Sequence, residues 1–532
     1  MALSFKSTKR RIVINCLRVW WIWITLWYEY GIFPYSAGKC NWPQMDVSPS
    51  FTFTSTSIMI ILTKIHQTPK HALLVADPQI IDHRSYPGRP ALLTYISQLI
   101  VDLNLRKNWR AALRSAPDVV FFLGDYMDSG YSNLENSVSI RYERYVKRFT
   151  KIFSMDSEIP TYFIPGNHDV GLGPSTFFSP HARTRYTSHF GPLNSHVSVA
   201  NYTFVLIDAP GLVEEDYKRH GFGKTYADWT PVPGGTISFV KSFAAKGNTE
   251  PTILLSHIPL SRPEGSNCGP LRERGTIRRG VGVGYQNTLG KDSSTFLLEH
   301  LRPTLILSGD DHDYCEYSHT LTTGSRIREV TVKSLSMAMG IKKPGYQMLS
   351  IIPPGGPTFS HLDAPCLLPD QLSIYLDAYI PLALISLVIV LVACIIRGQH
   401  YRHWTFRSLS HTKRKLKENT RPSKPQHFRR LTRTPTVMDD YEFTLDDSDT
   451  DQKLPPPVSA TVLPKKQNTL STIFSRGRRV CQLISLQSLA RAIFTSNRRG
   501  SFYSEFLCDV RDVAVFPLGI IFLISLWTFT DV

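Results

Sequence analysis

The sequence predicts an α/β domain, a layered sheet sandwich flanked by helices, carried on transmembrane helices. Three observations predict it. From His71 onward, short apolar strands alternate with helical patterns. Five of these strands end in a side chain of the metal-binding type: Asp77, Asp125, Asn167, His257 and the Asp310/His312 pair. The run "YIPLALISLVIVLVACII" at 379–396 is apolar over the length of one bilayer crossing.

The 532 residues divide along the chain. Residues 1–11 read as a short cytoplasmic N-terminus ending in "STKRR". Residues 12–32, with "IVINCLRVWWIWITLWY", read as a transmembrane helix or signal anchor. A cleaved signal peptide is the alternative, but no small-residue cleavage site stands out. Residues 33–70 read as linker, and the apolar "SIMIILTKI" within it is too short to span.

Residues 71–360 read as the folded domain, placed in the lumen by the charge argument below. "HALLVADPQI" is a strand ending at Asp77, and apolar periodicity predicts a helix over 91–116. "DVVFFLGDYMDSG" is a second strand, 138–155 a second helix, and "PTYFIPGNHDVG" a third strand. "HVSVANYTFVLIDAP" suggests two more strands, "PTILLSHIP" and "PTLILSGDDHD" one each. "IREVTVKSLS" and "GYQMLSIIP" read as late antiparallel strands.

Residues 361–376 read as linker and 377–396 as a transmembrane helix. Residues 397–512 form a basic, largely disordered loop, and 513–530 a last transmembrane helix that Pro517 would kink. The loop holds 22 Lys/Arg against 11 Asp/Glu, so much of the formal net charge of +17 is concentrated there. Basic flanks at the first span and after the second belong on the cytoplasmic side, which places the domain in the lumen. The sequon Asn201-Tyr202-Thr203 agrees with that side. The basic residues do not alternate with aromatics and show no zinc-finger spacing, so no nucleic acid is expected as partner. Of the eight cysteines none forms a CxxC pair. One or two bridges among Cys40, Cys268, Cys315 and Cys366 are open.

Oxygen and imidazole ligands without thiolates suit two divalent ions such as Mn²⁺, with Zn²⁺ or Fe²⁺ as alternatives. Such a pair can serve phosphoryl transfer, and a shared carboxylate must bridge it; Asp125 is the natural bridge. His168 follows Asn167 directly and is placed as general acid, with Asp169 to orient it. In "GDDHD", Asp310 and His312 are expected to face metal and Asp311 to point away. Bound cations would let Asp310, Asp311 and Asp313 coexist.

"GDYMD" at 124–128, "GNHD" at 166–169, "SHIP" at 256–259 and "GDDHDYC" at 309–315 resemble the calcineurin-like metallophosphoesterase superfamily. With "ADPQI", "YPGR" and "SGDDHDYCEYSH" the chain is similar to its Cdc1/Ted1 branch, relatives of post-GPI attachment to proteins factor 5. The resemblance implies a metallophosphoesterase sandwich with Asp77, Asp125 and His312 at one metal and Asp125, Asn167, His257 and Asp310 at the other. Gln79 stands where the superfamily has a His, a weaker or supporting ligand, and Asp310 replaces another His. Arg84 and Arg89 in "DHRSYPGR" are candidates for substrate phosphate; His83, Tyr86 and His319 are weaker ones. The resemblance further implies a hydrolase that removes ethanolamine phosphate from a mannose of the GPI glycan. Its partners would be GPI-anchored proteins as substrate and the lipid bilayer, in the endoplasmic reticulum membrane or the Golgi, in ER-to-Golgi transport. Another phospho-ester substrate, and a non-catalytic cargo adaptor, are the alternative expectations.

Overall fold

Successive side chains of a strand point to opposite faces, so the unbroken apolar runs of the central strands are apolar on both faces and the sheets must be covered on both sides. The computed structural model describes residues 2–44, 68–131, 138–154, 157–173, 178–321, 323–352, 360–397 and 502–530. Nearly all of the basic loop 397–512, and "SIMIILTKI", lie outside the described residues.

The first sheet is built on three parallel strands, β1 (Lys70–Val75), β2 (Val119–Phe122) and β3 (Thr161–Phe163). The second contains β4 (Ser195–Val199), β5 (Tyr202–Ile207), β6 (Thr252–Ser256), β9 (Leu305–Ser308), β10 (Cys315–Thr320) and β11 (Arg326–Thr331). Between β6 and β9 lies a small hairpin of β7 (Val281–Gly282) and β8 (Tyr285–Gln286). The first sheet is completed by β12 (Gly345–Ile352) and β13 (Ser360–Leu367). The strand orders are β13-β12-β1-β2-β3 and β10-β11-β9-β6-β5-β4.

Ala72, Leu74, Val119 and Phe121 of the first sheet meet Phe204, Leu206, Leu255 and Leu307 of the second in a buried layer between them. The alternate residues Leu73, Val75, Val120 and Phe122 face outward, under α3 (Ala91–Leu113) and α4 (Val138–Ile152). On the far side Val205, Leu254 and Ile306 lie under α7 (Ala209–Gly221), α8 (Thr236–Lys246) and α9 (Lys291–Leu301). Two shorter helices, α5 (Asn167–Val170) and α6 (Ala182–Phe190), follow β3. This is the expected helix-flanked sandwich.

Three details differ from the sequence reading. β11 is antiparallel to β10 but parallel to β9, because the β9–β10–β11 path returns it in the direction of the central strands. The segment expected as linker from 361 begins with β13, which pairs with β12 from Ser360 to Leu367. Asn201 of the sequon lies in the β4–β5 turn rather than in a strand, exposed and with φ of 61°.

The chain begins in α1 (Ala2–Leu26), followed by α2 (Ile32–Ala37). After β13 comes α10 (Gln371–Arg397), long and apolar enough to cross a membrane; among the described residues it is the one helix that meets that measure. The third expected span falls in α11 (Phe502–Thr530). Trp21 donates to the Ser386 hydroxyl at 2.9 Å and Tyr28 meets the Tyr379 ring at 5.8 Å, so α10 runs antiparallel to α1. Arg18 donates to the Asp512 carbonyl at 2.6 Å and Tyr30 meets Trp527 at 5.6 Å, so α11 runs parallel to α1. The Cys40–Cys366 disulfide ties the segment after α2 to β13, and Trp42 stacks on His71 at 4.4 Å.

Candidate metal centre

Parallel strands aim their carboxyl ends at one crevice, and loops there carry ligands on a rigid frame. β1, β2 and β3 lead into Asp77, Asp125 and Asn167; β6 and β9 lead into His257 and Asp310/His312. The turns are sharp: Asp77, Gln79, Asp125, Asp310 and His312 have φ of 46°, 25°, 55°, 66° and 68°. Non-glycine residues in the left-handed region carry strain, which functional sites commonly store. The strain is held in place by close approach. A Cβ on Gly166 would lie 2.0 Å from the Asp125 carboxylate, and one on Gly124 2.4 Å from His257 Nδ1.

Two groups form. Ligand atoms of Asp77, Asp125 and His312 lie within 4.8 Å of one another, as do those of Asp125, His257 and Asp310. Asp125 is common to both. Asn167 joins the second group: its Oδ1 is 3.0 Å from His257 Nε2, which also lies 3.3 Å from Asp125 and 3.5 Å from Asp310. The Asn167 amide is fixed by donating to the Gly284 carbonyl at 3.0 Å, in the β7–β8 turn.

The donor set fits divalent cations. Asp77, Gln79, Asp125 and His257 are buried. Asp77 Oδ2 and Gln79 Oε1 are buried without a hydrogen-bond partner, an arrangement that is costly unless a cation satisfies them. Gln79 donates to Asp125 Oδ2 at 3.3 Å, which places it beside the shared carboxylate. Burial, against the favourable charge of His257 and with Asp125 and Asp310 close by, pushes Asp77 well above the usual carboxylate range. Burial also works against charge on Asp125, yet the imidazoles of His257 and His168 hold its carboxyl down at about 2. Burial disfavours a charged His257, but Asp125 and Asp310 outweigh it and hold the imidazole well above its ordinary value. The protein's own groups thus carry an excess of negative charge that cations relieve.

His168 is half-buried beside this pair. Its backbone N–H donates to Asp125 Oδ1 at 2.9 Å, and its ring Nδ1 donates to the Asp128 carbonyl at 2.6 Å. The group that orients the ring is therefore Asp128, not Asp169 as the sequence suggested. The Asp169 carboxylate instead accepts the backbone N–H groups of Asp125, Tyr126 and Gly166 at 2.8, 2.9 and 2.9 Å, so it braces the two ligand turns. Adjacency in sequence misled because Asp169 lies on the other side of the short helix α5.

The carboxylates around His312 are neutralised separately. Asp311 pairs with Arg272 at 2.5 Å, and Asp313 with Lys333 at 3.1 Å. Asp311 and Asp313 thus coexist beside Asp310 without needing bound cations, which corrects the expectation for them. Arg272 belongs to the 258–290 segment, which the Cys268–Cys315 disulfide fastens next to the Asp310–His312 turn. The Arg272–Asp311 and Asn167–Gly284 contacts went unseen in the sequence. The length of this insertion between His257 and α9 was the available signal.

Arg84 lies exposed in the loop leading from Gln79, close enough to Tyr131 to influence its ionisation. Arg89 turns away onto α3, donating to Ser97 at 2.9 Å and covering the Tyr86 ring at 3.9 Å. His83 meets the Tyr145 hydroxyl at 2.9 Å. His319 is buried on Glu329 at 2.6 Å, so its partner is structural.

A family model described as calcineurin-like phosphoesterase matches residues 71–314. The chain is similar to Cell division control protein 1 of Saccharomyces cerevisiae, 34% identical over 345 residues, covering 63% of this chain and 64% of that protein. It is also similar to Metallophosphoesterase 1 of Ailuropoda melanoleuca, 26% identical over 384 residues, covering 69% and 86%. The Metallophosphoesterase 1 homolog of Drosophila melanogaster is 26% identical over 337 residues, covering 59% and 77%. The chain therefore spans just under two thirds of the yeast protein's length.

Proposed function

From the premise that this chain belongs to the calcineurin-like phosphoesterase superfamily, in the branch of Cell division control protein 1 and Metallophosphoesterase 1, we propose that it is a two-metal phosphodiesterase of the early secretory pathway. Its substrate is the ethanolamine phosphate carried by a mannose of the GPI glycan. The observation that carries the reading is the pair of ligand groups sharing Asp125, with His168 held beside them.

Asp77, Asp125 and His312 would hold one ion, with Gln79 in support; Asp125, Asn167, His257 and Asp310 would hold the other. Two divalent ions there supply positive charge to offset the phosphoryl oxygens and to acidify a water. Manganese suits these oxygen-rich sites. His168 is the general acid. Burial lowers its pKa, but Asp125 and Asp128 raise it by more, so the imidazole keeps a proton for the leaving mannose oxygen. With Nδ1 committed to the Asp128 carbonyl, Nε2 is the nitrogen that delivers it. Arg84, in the loop after Gln79 and close to Tyr131, is a candidate for gripping substrate phosphate, while Arg89 lies on Ser97 and Tyr86.

Membrane association is supported by α10, whose Leu384, Ile385, Val388 and Val392 are exposed. A multi-pass arrangement is supported by the packing of α10 and α11 on α1, the first antiparallel and the second parallel to it. The lumenal side is supported by the two disulfides, which suit an oxidising compartment. The free Cys16, Cys394 and Cys508 lie in the helices instead.

The test is mass spectrometry of GPI glycans from cells lacking the protein. Anchors retaining ethanolamine phosphate, corrected by the intact chain but not by His168→Ala, are the expected result. Unchanged glycans would defeat the substrate assignment and leave the hydrolase to be matched to another phospho-ester. A reporter near residue 230 is expected in the lumen and one near 450 in the cytosol.

A further inference from the structure

Helix α3 carries two different surfaces. Thr94, Val101, Leu105, Trp109 and Ala112 are buried against the first sheet. On the other side Leu92, Leu93, Tyr95, Ile96 and Leu99 are 70%, 51%, 63%, 40% and 37% exposed. Leu92, Tyr95, Ile96 and Leu99 recur at three- and four-residue spacing, so they form one stripe along the helix. A contiguous apolar stripe of this kind on a folded domain marks a contact surface.

The same stripe, continued toward the C-terminus of α3, changes character and meets the membrane helices. Arg106 donates to the Thr528 carbonyl at 2.8 Å, and the Arg110 guanidinium lies 4.9 Å from the Trp527 ring, both at the end of α11. Lys107 pairs with Glu29, which follows α1. The second half of α3 therefore rests on the ends of the helices, among Tyr30 and Trp527, the aromatic type that gathers at a bilayer surface. Arg114, at the end of α3, is exposed and basic at the same level.

We propose that the first half of α3 lies in the plane of the membrane, with Leu92, Tyr95, Ile96 and Leu99 sunk into the headgroup–acyl boundary of the leaflet on the domain's side. The inference rests on the reading of α10 and its neighbours as membrane spans. Its occupant is the lipid surface, because the stripe is continuous with residues that already hold the helix ends at that surface. An apolar face bordered by cations is the pattern of an interfacial helix. Such seating has a consequence for substrate access. α3 starts directly after the 82–90 loop, whose Ser85 hydroxyl lies against Asp128, the partner of His168. The loop beside the general acid would then be held at the lipid surface, where a lipid-anchored glycan is presented.

The test uses the full chain in nanodiscs of phosphatidylcholine and phosphatidylserine. A fluorescent amino acid is encoded in place of Ile96, of Val388 on α10, or of Phe222, which is 74% exposed at the end of α7 on the opposite side of the sandwich. Lipids bearing a nitroxide near the top of the acyl chain are expected to quench the probe at 96 about two-fold or more beyond that at 222, with iodide reaching 222 but not 96. Iodide access at 96 without lipid quenching would overturn the proposal. So would shielding from both, the mark of cover by the chain itself or by a second copy. Failure of lipid quenching at 388 would overturn the span reading and the proposal with it; quenching at 388 but not at 96 would overturn the proposal alone.

Discussion

His257 donates from Nδ1 to the main-chain carbonyl of Leu123 at 2.7 Å, across the two sheets. A carbonyl only accepts, so Nδ1 carries a proton and Nε2 is the nitrogen that faces Asn167, Asp125 and Asp310, where a cation would take the place of its proton. The second sheet's imidazole is thereby locked into the tautomer a metal needs by the first sheet's backbone, an outer hydrogen bond of the kind that tunes ligands.

The lock depends on Gly124, which has φ of 94° and leaves no room for a Cβ beside that ring. Gly124→Ala is expected to lower metal affinity about 10- to 100-fold through displacement of His257. Metal content of the purified protein after dialysis, read by elemental mass spectrometry, checks this. Full metal retention would show that the contact relaxes without consequence.

His168→Ala is expected to reduce turnover of an alkyl phosphodiester by about 10²- to 10⁴-fold. With a p-nitrophenyl leaving group, which departs without a proton, the loss should be much smaller. Asp128→Asn should shift activity in the same direction but less, since the backbone carbonyl that holds the ring remains. Equal losses on both substrates would remove His168 from the role of acid.

The Cys268–Cys315 bridge closes a separation of 47 residues and fastens the 258–290 segment beside Asp310. Cys268→Ser with Cys315→Ser is expected to cost up to about 4 kcal/mol of stability. The lowered melting temperature should come with a lower kcat, because Arg272 and Gly284 lose their fixed positions against Asp311 and Asn167. A stability loss with unchanged turnover would make the segment a passive cover.

Glu329 is buried, which raises its pKa, but Arg262 and His319 outweigh burial and hold it below its ordinary value of 4.5. A carboxylate depressed on folding stabilises the protein above its unfolded pKa, and that contribution fades as pH falls through the folded one. Chemical denaturation between neutral pH and about pH 3 should show wild type losing more stability on acidification than Glu329→Gln. At neutral pH the variant should be the less stable, since Arg262 loses its charge partner. Parallel pH profiles would mean the pair contributes nothing to acid sensitivity.

The strand-end ligands were legible because each follows its apolar strand within one to four residues, and a strand fixes where its last side chain goes. Helices α6 to α9 were not distinguished, since their apolar faces are interrupted by polar residues that pair locally, such as Asp216 with Arg219. β10 and β13 were missed for a related reason. "CEYSHT" and "SHLDAPCL" look polar, and become strands through their pairing with β11 and β12.

The sequence by itself determined which groups could bind metal, the α/β order and the apolar run of α10, since these are properties of neighbouring residues. Only the tertiary structure decided that Asp128 rather than Asp169 holds His168, and that Arg272 and Lys333 neutralise Asp311 and Asp313. It alone decided which cysteines join. Those choices depend on which distant loops arrive at the same point, and contacts across 20 to 326 residues leave no periodicity in the chain for a sequence to display.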